Sequence, residues 1–172
     1  KEKYPILAEK IIQMSDILLE ILDSRFIAET KNLELEEQIK KEDKKIIYVL
    51  NKSDLIDLKK IDKAVLKEIY PYVFVSCVSR RGGRELRDKI KIIAHKIEKP
   101  LDNPFHKITV GVIGYPNTGK SSIINILTGK TSAGVGADAG FTKGIQKVNL
   151  TSEIVLLDSP GVIPNKEYSS SD

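Results

Sequence analysis

The stretch with the most chemistry in it is Gly114-Tyr-Pro-Asn-Thr-Gly119-Lys120-Ser121, which satisfies the pattern G-x-x-x-x-G-K-[ST]. It follows the apolar run ITVGVIG and precedes Ile123, Ile126 and Leu127 at helical spacing. A loop between a strand and a helix can turn successive backbone N–H groups onto phosphate oxygens, and side chains at the glycine positions would obstruct that approach. On this reading Gly114, Asn117, Thr118, Gly119 and Ser122 line a phosphate site. Lys120 supplies a point charge to the β and γ phosphates. Ser121 offers its hydroxyl to Mg²⁺, whose other ligands are mostly phosphate oxygens and water. A plain glycine-rich turn is the bland alternative, and the strand and helix flanks argue against it.

A phosphate loop serves ATPases, GTPases and nucleotide kinases alike, so the base has to be identified elsewhere. Asn51-Lys52-Ser53-Asp54 follows the apolar run IIYVL. A carboxylate at Asp54 accepts two hydrogen bonds from guanine N1 and its exocyclic amine, a pair of donors that adenine lacks. Asn51 addresses the other edge of the base and braces the loop, while the Lys52 stem covers the ring. Ser53 and Asp54 would also suit the cap of a following helix, but beside a phosphate loop the nucleotide reading prevails. Further on, Ser76, Cys77 and Val78 leave the run VFV and enter a loop where a backbone N–H can meet guanine O6. Cys77 reads there as a small packing residue rather than a reactive thiol.

Asp158-Ser-Pro-Gly161 follows the run EIVLL and fits D-x-x-G, in which Asp158 holds Mg²⁺ through water and the Gly161 N–H meets the γ phosphate. Thr142, in the stretch GFTKG, is the candidate that closes on Mg²⁺, with Thr131 and Thr128 as rivals. Lys120, Thr142 and Gly161 thus form the candidate catalytic set. Val162 follows Gly161, and an aliphatic side chain cannot orient an attacking water. Intrinsic hydrolysis is therefore expected to be slow unless a cation or a partner supplies the missing stabilisation.

These groups need a scaffold, and the rest of the chain describes one. With 172 residues, 41% of them hydrophobic, the chain suits a single domain spanning 1–172 that buries a core unaided. Six strands are predicted: Ile17 to Leu22, Ile46 to Leu50, Val73 to Ser76, Ile108 to Ile113, Ile145 to Leu150 and Ile154 to Leu157. Helical stripes fall at Ile61, Val65 and Ile69, and at Leu86, Ile90, Ile93 and Ile97. A further helix runs from Gly119 to Gly129, and the opening segment is helical with Pro5 near its first turn. Short apolar runs alternating with helices predict an α/β protein with a mostly parallel sheet covered on both faces. The small-residue stretch between Lys130 and Gly144 predicts a mobile switch loop, and residues 165–172 a polar tail.

Composition narrows the function classes. A single cysteine excludes an internal disulfide and points to the reducing cytoplasm. No apolar run approaches the roughly 20 residues a membrane helix needs. The net charge of +4 weakly favours a polyanionic partner. Arg80, Arg81, Arg84, Arg87 and Lys91 are either a solvated helix face or a stripe that meets RNA phosphates. A monomer is expected.

The order of the motifs is unusual, because the guanine-reading residues 51–54 precede the phosphate-binding residues 114–121. Together with NKSD, SCVS, GYPNTGKSS, Thr142 and DSPG, this order resembles the YlqF/YawG family of circularly permuted GTPases over nearly the whole chain. SCVS is similar to the S-A-K loop of GTPases, and Leu22-Asp23-Ser24-Arg25 looks like the family's D-A-R signature, while GFTKG departs from its usual P-G-T-T-K-G. The resemblance implies a P-loop NTPase fold of the Ras-like G-domain kind, circularly permuted, with a six-stranded sheet. It implies GTP and GDP as ligands, Mg²⁺ as cofactor, and a large ribosomal subunit precursor or its rRNA as partner. Family members mostly carry a further C-terminal RNA-contacting domain. In GTPases with a similar P-N-x-G-K-S loop the asparagine helps to hold K⁺, so Asn117 either does that or shapes the turn. Two other classes stay open: a small-molecule kinase, against which NKSD argues, and a nucleotide-bound docking module with negligible turnover, which Val162 would suit.

Overall fold

The segment ILLEILD has one interior polar residue, and all seven of its positions are buried in strand β1 (Ile17–Asp23). Burial on both faces is the environment of an interior parallel strand. In the computed structural model, which describes residues 3–129 and 144–158, β1 lies between β2 (Lys45–Asn51) and β4 (Ile108–Ile113), parallel to both. β3 (Tyr72–Phe74) flanks β2, and β6 (Ile154–Asp158) runs parallel to β4. β5 (Gln146–Asn149) closes the far edge antiparallel to β6, giving the order β3-β2-β1-β4-β6-β5. The predicted six-stranded, mostly parallel α/β sheet is thus present. Asp23 is level with Asn51 across β1 and β2, and Glu20 with Ile113 across β1 and β4. The loops after β2 and β4 therefore leave from one carboxyl rim, where open α/β sheets bind nucleotides.

The alternation of side chains along β1 sorts the core into two layers. Ile17, Leu19 and Ile21 join the cluster that holds Leu86 and Ile90 of α5 (Gly83–Lys96) and Ile123 and Leu127 of α6 (Lys120–Thr128). Leu18 faces the other way, onto Leu7, Ile11 and Ile12 of α1 (Lys3–Met14) and Leu35 and Ile39 of α3 (Leu33–Lys41). Two short helices, α2 (Ile27–Thr30) and α4 (Lys63–Glu68), complete the set. Gly111 explains how closely α1 packs on β4, since a Cβ there would sit 2.3 Å from Ser15 Oγ and 2.5 Å from Ile11 Cγ2. Both predicted ends of α6 hold: Gly119 precedes it and Gly129 follows it, with φ of 96° and 72°.

Several predicted boundaries move. β3 ends at Phe74 instead of Ser76, because both backbone hydrogen bonds of Ser76 go to Arg81, at 2.9 Å each, and close a tight loop. The helix expected through Ile61, Val65 and Ile69 is confined to Lys63–Glu68, started by the Asp62 side chain accepting from the Ala64 N–H. α3 escaped the sequence reading although it carries its own signals. Asn32 caps it by accepting from the Leu35 N–H, acidic residues open it and Lys40 and Lys41 close it. Among the described residues no helix is long and apolar enough to cross a membrane. Thr131, Thr142, Gly161, Val162, the expected switch loop and the expected tail at 165–172 lie outside the described residues.

Candidate nucleotide site

The loop between β4 and α6 takes two left-handed residues, Asn117 at φ 69° and Gly119 at φ 96°. Gly119 needs its lack of a side chain for a second reason, since a Cβ would lie 2.2 Å from Asn51 Nδ2. The phosphate loop and the base-reading segment are therefore in direct contact. Asn51 Nδ2 donates to the Thr118 carbonyl at 2.8 Å, between two residues that are 3% and 0% exposed. Lys52 Nζ donates to the Asn117 carbonyl. The Thr118 hydroxyl donates to the Tyr115 carbonyl at 2.6 Å, fixing the turn from within. Gly114 is buried at the foot of the loop, and Ser121 and Ser122 are exposed in the first turn of α6.

The structure brings Asn51, Asp54, Ser76 and Cys77 together. Ser76 Oγ donates to Asp54 Oδ1 at 2.8 Å and accepts from the Ser79 N–H at 3.0 Å, so a single hydroxyl ties Asp54 to the loop that follows β3. Asp54 is exposed, and its carboxylate keeps lone pairs for further donors. Cys77 Sγ donates to Asn51 Oδ1 at 3.6 Å. Burial first, and the Asp54 charge second, push the Cys77 thiol up from its ordinary value. A protonated thiol packed on Asn51 suits the packing role read from the sequence. Val78 is 86% exposed, leaving this rim open.

On the phosphate side, Lys120 Nζ approaches Asp158 Oδ1 at 3.3 Å. Asp158 is 1% exposed, and beyond this ion pair neither carboxylate oxygen accepts a hydrogen bond among the described residues. A buried carboxylate left short of donors is costly, and hydrated Mg²⁺ would supply what is missing, so Asp158 and the free Ser121 hydroxyl fit such an ion. Among the described residues no cluster of three or more His, Cys, Asp or Glu could cage a metal. The remaining ligands would come from phosphate and water.

The D-A-R-like segment gains a structural role that its residues alone did not disclose. Asp23 is fully buried at the end of β1. Arg25 grips it with a fork, Nε to Oδ1 at 3.1 Å and Nη2 to Oδ2 at 2.9 Å, and adds its backbone N–H at 2.9 Å. Burial would raise the Asp23 carboxyl, but the Arg25 hydrogen bonds and the charges of Lys52 and Arg25 hold it below its ordinary value. Lys52 Nζ lies 3.3 Å from Asp23 Oδ2, so the amine that touches the phosphate loop is anchored from behind. The Ser24 hydroxyl donates to the Asn51 carbonyl at 2.5 Å. Three rim loops are joined by this network.

With residues 51–54 seated on the loop between β4 and α6 that comes later in the chain, comparison with known proteins decides the family. A GTP-binding protein of Methanocaldococcus jannaschii, MJ1464, is 44% identical over 170 residues, covering 96% of this chain and 43% of that protein. The family described as 50S ribosome-binding GTPase matches residues 109–172. The chain belongs to the circularly permuted GTPases. Another relative of this permuted GTPase is nucleolar GTP-binding protein 2 of Saccharomyces cerevisiae, 36% identical over 168 residues, 95% of the chain and 34% of that protein. The chain spans less than half the length of these curated relatives. In fold it matches the GDP-bound structure of TM YlqF, with a TM-score of 0.58 at 23% identity, over 98% of this chain and 61% of that one. YjeQ from Thermotoga maritima matches with a TM-score of 0.57 at 19% identity, over 87% of this chain and 49% of that one.

Proposed function

We propose that this permuted GTPase domain binds GTP and GDP, hydrolyses GTP slowly, and acts as a switch in assembly of the large ribosomal subunit. The observation that carries the reading is the 2.8 Å hydrogen bond from Asn51 to the Thr118 carbonyl. It holds the segment that carries Asp54 against the loop that leads to Lys120 at one rim of the sheet, which supports a single nucleotide site. Lys120 and the loop amides neutralise phosphate charge, and Ser121 directly and Asp158 through water would hold Mg²⁺, which would add charge neutralisation at the phosphates. Positioning, more than a side-chain base, then accounts for turnover. Thr142 and Gly161 are the residues proposed to close on the γ phosphate, and Val162 is the reason hydrolysis is slow. Asn117 is the proposed K⁺ contact. The ribosomal part of the reading rests on the family's description and on relatives named nucleolar GTP-binding proteins. The lone Cys77 suits a reducing cytoplasm.

Calorimetry with GDP, ADP and xanthosine diphosphate tests base selection. The wild type binds GDP best, and Asp54→Asn shifts the preference towards xanthosine diphosphate by tenfold or more. Equal affinity for GDP and ADP would defeat the proposal. Phosphate release compared in K⁺ and Na⁺ tests Asn117, and cosedimentation with ribosomal precursors that ignores the nucleotide state would remove the switch.

A further inference from the structure

A second surface begins beside the loop that follows β3 and lies between the start of α5 and the end of α6. It is an open groove of about 570 Å³ whose lining includes Arg80, Arg84, Arg87 and Glu85, over a floor that contains Ile126 and Leu127. Arg84, Arg87 and Lys91 are spaced three and four residues apart, so they share one face of α5 and span about 10 Å of helix. Leu86 and Ile90 are buried on the other side of the same helix. The guanidinium groups of Arg80 and Arg84 and the ammonium of Lys91 make no hydrogen bond or ion pair among the described residues, whereas Lys99 farther on is already held by Glu153 at 3.0 Å.

The backbone that carries these cations is held in place before any ligand arrives. Arg87 Nη2 donates to the Leu150 carbonyl at 3.4 Å, and a Cβ on Gly83 would meet Ile126 Cγ1 at 3.1 Å, so α5 and α6 are pressed together beneath the groove. Arg80 takes a left-handed φ of 55° at the tip of the loop that the Ser76–Arg81 bridge closes. The groove and the neighbouring face of α5 carry Arg80, Arg84, Arg87 and Lys91 against two carboxylates, Glu85 in the groove and the exposed Asp88 four residues after Arg84, and these cations are spread too widely for one phosphate group.

We propose that this groove and the basic face of α5 bind the phosphodiester backbone of RNA, which rests on the ribosomal reading above and gives it a contact surface within the GTPase domain. Among the described residues none of the large exposed hydrophobic side chains lines the groove, and its apolar floor is Ile126 and the buried Leu127 beneath arginine side chains, so its charge, more than an apolar anchor, suits it to a polyanion. Among the described residues it also carries no aromatic side chain for base stacking, so the contact reads charge and shape and not sequence.

The test is fluorescence anisotropy with a labelled RNA hairpin, using wild type and the Arg84→Glu/Lys91→Glu double variant, with GDP affinity measured on the same samples. The double variant binds the hairpin at least tenfold more weakly, its log affinity against log salt flattens by about two, and its GDP affinity is unchanged. A neutral Arg84→Gln/Lys91→Gln variant falls between the two and guards against a folding defect in the reversed one. Unchanged hairpin affinity in both variants overturns the proposal. So does polyglutamate that displaces the hairpin as well as unlabelled RNA does, because the groove would then be a general acidic-partner surface. Loss of GDP binding in the wild type would instead refute the nucleotide reading, a different failure from loss of RNA binding alone.

Discussion

Removing Asn51 separates two roles that its position combines. If Asn51 acts only on the guanine ring, Asn51→Ala leaves the nucleotide-free protein intact and weakens GDP binding. The structure instead makes its Nδ2 the donor that satisfies the carbonyl of Thr118, a residue with no exposure. Truncation leaves that acceptor buried without its donor, which costs about 1–3 kcal/mol. For a domain of this size each kcal/mol lowers the melting temperature by roughly 2–4 °C, so the nucleotide-free variant should melt about 2–12 °C below wild type. Asn51→Asp should be worse than Asn51→Ala, since it turns a carboxylate oxygen towards the Thr118 carbonyl and buries charge beside it. Circular dichroism melts without nucleotide decide the matter, with amide hydrogen exchange in the phosphate loop as a second readout. Three equal melting temperatures, accompanied by weaker GDP binding in the variants, would refute the brace and leave Asn51 as a base contact alone.

Lys120→Ala strips the buried Asp158 of its ion-pair partner, and an uncompensated buried charge costs about 3 kcal/mol or more. Adding Asp158→Asn should recover most of that stability in denaturant unfolding without restoring phosphate release. Glu20, 1% exposed on β1, has a carboxyl pushed well above its ordinary 4.5, by burial first and then by the Glu36 hydrogen bond and charge. Its folded form holds the proton more tightly than the unfolded form does. The stability this contributes is complete below the ordinary value and is lost as pH rises through the raised one. Glu20→Gln should therefore melt higher than wild type at pH 8, with the gap narrowing towards pH 5, because its amide donates to Glu36 and still accepts the Asn32 N–H; a constant gap across that range would refute the shared proton.

The sheet and the rim loops were legible because each rests on a local pattern. Apolar runs of strand length, a glycine at each end of α6, and the two motifs after β2 and β4 need no tertiary knowledge. The pairing of buried Glu20 with half-buried Glu36 was not legible, because a glutamate inside ILLEILD gives no sign of which helix covers it. That helix, α3, presents only Leu35 and Ile39 as buried residues over nine positions, a stripe too thin to stand out. Asp23 and Arg25 could be matched to a signature, yet the fork between them and its hold on Lys52 depend on β1 and β2 ending level. The boundary of β3 was missed because Ser76 finds its backbone partner in Arg81, five residues on, and not in the neighbouring strand.

The strand order divides the sheet into two consecutive runs, β1 to β3 and β4 to β6, that meet only along the seam between β1 and β4. During synthesis from the amino terminus, β1 to β3 and residues 51–54 are made before any residue of 114–121. Pairing of near neighbours in sequence is rapid, so the first half of the sheet assembles ahead of the second. The later half then docks on a surface already shaped to receive it, with Asn51 waiting for the Thr118 carbonyl.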